Sequence, residues 1–158
     1  MRVRKLRGVL AGLVSLGLAV GLSVGTSDVA QASPNLVTTY FTYTGSSATW
    51  AVPSGAVSVY VAITGGQGGG YSTVTPANTL SAVLTIPNGA SALEVNVGGD
   101  GGTSGNTAGG WNGGGVGGSV PAPQFSAGGG GGATDIRLPG AAASAALMVA
   151  GGSGGGGG

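Results

Sequence analysis

The sequence predicts an all-β chain, an antiparallel sandwich whose strands are interleaved with ordered glycine tracts. Three observations carry this reading. Apolar residues alternate with period two along several short segments, glycine tracts follow directly on such segments, and no segment past the N-terminal apolar run has a helical period with caps. Glycine is 38 of the 158 residues, gathered at residues 65–70, 98–118, 128–132 and 151–158.

The chain opens on Arg2, Arg4, Lys5 and Arg7, followed by an apolar run from residue 8 to about residue 24 and the small-residue stretch Val29-Ala30-Gln31-Ala32. A basic start, an apolar middle and small residues at a cleavage site are the three parts of a secretory signal peptide. The run is diluted by Gly12, Gly17 and Gly21 and falls short of the ~18 to 20 apolar residues that a membrane span prefers. Residues 1–32 are therefore expected to be removed between Ala32 and Ser33. Residues 33–37 form a short N-terminal segment and residues 38–158 one glycine-rich β domain, secreted or held at the cell envelope.

Cleavage there removes four of the five cations and leaves Arg137 against Glu94, Asp100 and Asp135. Such a chain lacks the cations that a phosphate backbone or an anionic membrane surface requires, which excludes nucleic acid and, once the signal is gone, membrane as partners. With no Cys in the sequence, the exported domain folds without disulfides.

Phe41 and Tyr43 open the alternating half, and Trp50 and Val52 follow. Val57, Val59, Val61 and Ile63 face one way while Ser58, Tyr60, Ala62 and Thr64 face the other, the clearest strand in the chain. Leu80, Ala82, Leu84 and Ile86 repeat the pattern before Pro87-Asn88-Gly89, and Leu93, Val95 and Val97 continue it beyond, so that this pair is expected to form a hairpin. Pro53-Ser54-Gly55 is a turn of the same kind. Residues 134–138 and 145–150 supply two later strands, and the alanine-rich stretch 140–148 is compatible with a short helix.

The tracts admit two physical readings, a flexible linker or extended three-residue helices of the polyglycine-II type, packed so closely that backbones bond to one another. Grouped from Gly98, five of the seven triplets to Gly118 keep Gly in the middle place, and Asp100, Thr103, Asn106 and Asn112 fall in the third. A linker has no need of that register. Two glycine helices with a break at residues 107–111 are expected.

The string from Phe41 to Gly70, followed by Gly-Ala-Thr-Asp-Ile-Arg at residues 132–137 and Leu-Met-Val-Ala-Gly-Gly at residues 147–152, resembles the glycine-rich family named after the extracellular domain of the anaplastic lymphoma kinase and leukocyte tyrosine kinase receptors. The resemblance runs over about residues 38–158. It implies a jelly-roll-like sandwich with inserted glycine helices, and a domain incomplete at its C-terminus, since family members carry further glycine helices and closing strands. In the receptors this domain recognises the ligand, but no ligand-contacting residue transfers to a matched position.

Chemistry is sparsely provided. There is no His or Cys, and no Lys beyond the signal, so no enzyme, cofactor or metal site is expected. The G-x-G-x-x-G match at residues 113–118 lacks the strand-to-helix context that gives the pattern meaning. Asp100 reads as a solvated turn residue. Asp135 and Arg137, two apart on one strand face, read as a structural pair closing the sandwich. Trp111, alone within a glycine tract, reads either as packing over its neighbours or as a stacking contact for a ligand, and Tyr71 shares that ambiguity. The function expected is a non-enzymatic cell-surface or extracellular interaction module for a protein or glycan. Its alternative is a flat structural surface such as an ice- or crystal-face binder. Open strand edges add a route to self-association.

Overall fold

The computed structural model describes residues 6–8, 37–70, 74–103, 107–119 and 126–157. Its regular structure is all-β: β1 Leu6–Gly8, β2 Thr38–Thr39, β3 Ala48–Ala51, β4 Ser58–Thr64, β5 Thr79–Thr85, β6 Ala92–Asn96, β7 Thr134–Arg137 and β8 Met148–Ala150. They form two four-stranded antiparallel sheets in the orders β2-β1-β4-β5 and β3-β6-β7-β8.

The alternation read from the sequence decides which face β4, β6 and β8 bury, but not β5, where Leu80 and Ala82 are exposed and only Leu84 is partly buried. Val59, Val61 and Ile63 of β4 meet Leu93 and Val95 of β6, Ile136 of β7 and Met148 and Ala150 of β8 in one apolar core, with Trp50 and Leu84 packed at its margin. A buried β-branched or leucine side chain contributes ~1.5 to 3 kcal/mol, so these few residues supply most of the drive to bring the sheets together. Val57 departs from the pattern. It precedes β4 and is exposed.

The hairpin expected around Pro87-Asn88-Gly89 is not formed. β5 pairs with β4 in one sheet and β6 with β3 and β7 in the other, so this turn passes between sheets. The Pro53 turn does the same between β3 and β4. Both close in the same way, Ala56 N–H to Pro53 O and Ala90 N–H to Pro87 O at 3.0 Å, with Gly55 and Gly89 at φ of 78° and 79°. Turn chemistry specifies a reversal of direction, and two sheets in face-to-face contact accept a reversal as readily as one sheet does.

β1 has a different origin from the other strands. Leu6–Gly8 lies inside the stretch expected to be a signal peptide, yet its backbone pairs with β2 (Arg7 opposite Thr38) and with β4 (Leu6 opposite Val61). The edge of β4 offers unpaired N–H and C=O groups to any extended segment, whatever that segment's targeting role. The alanine-rich stretch holds only a single 3-10 turn, Ala143–Ala145.

The glycine segments are neither strand nor α-helix. They bond sideways to one another, continuing β4, β6 and β8 and leading into β7.

Candidate functional site

Segment 126–132 sits at the centre of the glycine block. It bonds to segment 65–70 (Gly66 N–H to Gly132 O, 2.7 Å; Gly69 N–H to Gly129 O, 2.8 Å), to 98–103 (Gly132 N–H to Gly99 O, 2.8 Å), to 107–111 (Gly110 N–H to Gly130 O, 2.8 Å), to 113–119 (Gly130 N–H to Gly115 O, 2.8 Å) and to 151–157 (Gly131 N–H to Ser153 O, 2.8 Å). Bonds recur every third residue, as when Ala127 repeats Gly130 and Gly128 repeats Gly131. The surrounding segments also bond to one another in sequence around the centre: 113–119 to 107–111, that to 98–103, that to 65–70, and that to 151–157.

Packing this close depends on the missing side chains. A Cβ at Gly66 would overlap the carbonyl of Gly99, and one at Gly132 the carbonyl of Trp111. The expected break at residues 107–111 is displaced. Those residues are part of the block, bonded through Ala108 O and Gly110 N–H and running antiparallel to 98–103, and a further reversal comes at Trp111–Gly113, where Asn112 (φ 68°) and Gly113 (φ 97°) take left-handed conformations. Asn is the residue that most readily replaces Gly there, which the triplet register could not reveal. Asp100 is also more than a solvated turn residue, because its Oδ1 accepts the Gln67 N–H at 2.8 Å and ties two segments together.

Where the block meets the sandwich, Asp135 is the hub of a polar network on the outer face of the second sheet. Its carboxylate accepts from Arg137 Nε (2.8 Å) and Nη2 (3.2 Å), from Asn96 Nδ2 (3.1 Å) and from Asn112 Nδ2 (2.7 Å). Asp135 is 3% exposed, so its charge is held by these donors rather than by water. Register brings the group together, since Glu94 lies opposite Arg137 and Asn96 opposite Asp135. Glu94 stands 3.5 Å from Arg137 Nε. The Asn96 amide, the Gly140 N–H and Arg137 hold its carboxyl below the ordinary value, against the opposing effect of burial. Ser47 Oγ completes the network by donating to Asn96 Oδ1 at 2.6 Å.

Asn112 joins this network to Trp111. Its amide donates both to Asp135 and to Ala133 O (2.7 Å), fixing the turn on which the half-buried Trp111 sits, while the Trp111 carbonyl accepts the Gly99 N–H at 3.0 Å. The sequence-predicted residues Asp135, Arg137 and Trp111 therefore belong to one neighbourhood. Tyr71, Ala32 and Ser33 lie outside the described residues. Asn96, Asn112 and Ser47 were not legible as participants, because an uncharged amide or hydroxyl in a polar, glycine-rich sequence carries no signal of its own.

Two open grooves accompany these features. One, of ≈280 Å³, lies between the Pro87 turn and Leu138-Pro139. The other, of ≈480 Å³, runs along the glycine block with Gly115 to Gly118 on one wall, Gly152 to Gly155 on the other and Gly128, Gly130 and Gly131 in its floor. No cluster of three or more His, Cys, Asp or Glu placed to hold a metal ion occurs among the described residues. No family model, curated protein or solved structure matches this chain.

Proposed function

We propose that this chain is a secreted, non-enzymatic interaction module of the extracellular surface. On this reading a jelly-roll-like sandwich carries a block of polyglycine-II helices and presents the Trp111 turn to a protein or glycan partner. The observation that carries it is the anchoring of that turn. Asn112, in a left-handed conformation, is bonded at 2.7 Å both to Asp135 and to Ala133 O, so a half-buried tryptophan is held on a rigid base. A prefixed aromatic loses little conformational entropy on binding, the usual requirement for a stacking anchor. The three-residue period of the lateral bonds supports the helix assignment.

A flat ice- or crystal-binding face draws less support. The outer face of β4 and β5 does carry hydroxyls, with Thr64 and Thr79 Oγ1 2.7 Å apart, but Tyr60 opposite Val83 interrupts the array midway. Self-association through the outer edges of β5 and β8 belongs to the same proposal, since β5 leaves Leu80 and Val83 exposed.

The test is binding of the labelled protein to intact cells of its source. Cells are compared before and after protease shaving and after periodate oxidation of surface glycans, with Trp111→Ala alongside the parent. Loss of binding after one treatment and in the variant supports the reading. Binding that survives both treatments, or a variant that binds as well as its parent, removes it, and thermal hysteresis in freezing solution would favour the flat surface instead.

A further inference from the structure

The central glycine segment is bonded on five sides by the five segments named above, and among the described residues no segment covers the sixth. Around it the direction of bonding alternates. It donates N–H to 113–119, accepts from 107–111, donates to 98–103, accepts from 65–70 and donates to 151–157. The next place in that alternation calls for acceptors, and acceptors are there. The carbonyls of Gly128 and Gly131 receive no hydrogen bond among the described residues, and Gly128 O lies between Gly117 on one wall and Gly155 on the other. Gly128 is buried and lines the groove, so its carbonyl calls for a donor there, from water or from another chain segment. The groove of ≈480 Å³ is this sixth place.

An occupant has to supply N–H groups one three-residue turn apart and carry no side chain where it touches the floor. Segment 151–157 of this chain has those properties. It bonds within the block only to 65–70 and to the central segment, and the N–H groups of Gly152, Gly154, Gly155 and Gly157 find no acceptor among the described residues. Gly152 and Gly155, like Gly154 and Gly157, are one turn apart.

We infer that the vacant sixth place is a dimerisation slot, filled by the 151–157 segment of a second copy of this chain. An exchange about a two-fold axis lying between the slot and the 151–157 segment puts each copy's segment into the other's slot. The interface is then isologous and closed, and it completes the ring around both central segments. It uses backbone bonds alone, so association is insensitive to salt.

The geometry supplies its own test, because positions that face the slot have more room for a side chain in the single copy than in the dimer, Gly154 freely and Gly130 with a small shift of Gly115. A Cβ at Gly130 projects between the two walls, its nearest atoms being Gly115 N at 3.3 Å and Ser153 O at 3.5 Å, and a Cβ at Gly154 meets nothing within 4 Å. Sedimentation equilibrium of the purified protein should show a dimer whose dissociation constant rises about 10- to 100-fold in Gly130→Ala. Gly154→Val serves as the second variant, and melting curves confirm that each keeps its fold. A parent that stays monomeric overturns the inference. So does a dimer that both variants leave unchanged, which would assign association to the strand edges instead.

Discussion

Thr134 and Thr64 join the two sheets through a single hydroxyl. Thr134 Oγ1 donates to the Thr64 carbonyl at 2.6 Å and accepts the Gly98 N–H at 2.9 Å. Thr64 ends β4 in one sheet and Thr134 begins β7 in the other, so this completely buried side chain fixes the point from which two glycine segments leave the sandwich. Thr134→Val keeps the shape and strands both backbone partners. Chemical denaturation should report a loss of about 1 to 3 kcal/mol.

Arg137→Ala leaves the Asp135 carboxylate buried with only its two asparagine donors. Removing one partner of a buried pair destabilises by about 3 kcal/mol or more, and the melting temperature should fall accordingly. The double variant Arg137→Ala with Asp135→Asn should recover part of that loss, since no uncompensated charge remains. A double variant no better than the single one would show that the pair is not coupled.

The glycines divide into two classes by what a methyl group would strike. Gly66→Ala and Gly132→Ala put a carbon onto the backbone of a neighbouring segment and should abolish cooperative folding of the block. Gly115→Ala, which meets nothing within 4 Å, should melt with the parent. Circular dichroism and melting curves of the three variants check this.

Glu94 is held below the ordinary glutamate value, chiefly by the Asn96 amide and the Gly140 N–H. A carboxyl depressed in the folded state adds stability above its unfolded value. That contribution is lost as pH falls past the ordinary value of 4.5 and through the lower folded one. Melting temperatures taken across that range should drop less steeply in Glu94→Gln than in the parent.

The division between what the sequence discloses and what it hides follows the physics of each part. The strands around Val59, Leu93 and Ile136 were legible because burial of one face imposes period two on the chain itself. The partners of β5 and β6 were not, since Pro87-Asn88-Gly89 encodes a reversal and says nothing of which sheet receives the next strand. Asp135 and Arg137 stand two apart and could be read as neighbours. Asn96 and Asn112 reach Asp135 only through cross-strand register and a left-handed turn, and both arise from the folded chain as a whole. In the glycine tracts the register of triplets was visible, but the reversal after 107–111 rested on one residue, Asn112, whose backbone tolerates it.

Apart from the oxidisable Trp111 and the Asn112–Gly113 step, the glycine block carries little that reagents can alter. Its cohesion comes from peptide groups, which do not titrate near neutrality, are not displaced by counter-ions and offer no thiol or imidazole to oxidants. The polar network beside it includes Glu94, whose depressed carboxyl gives up its contribution in acid. The domain therefore pairs a part held by peptide groups with a condition-sensitive one, and loss of order in acid should begin at the sandwich face, with the glycine segments following last.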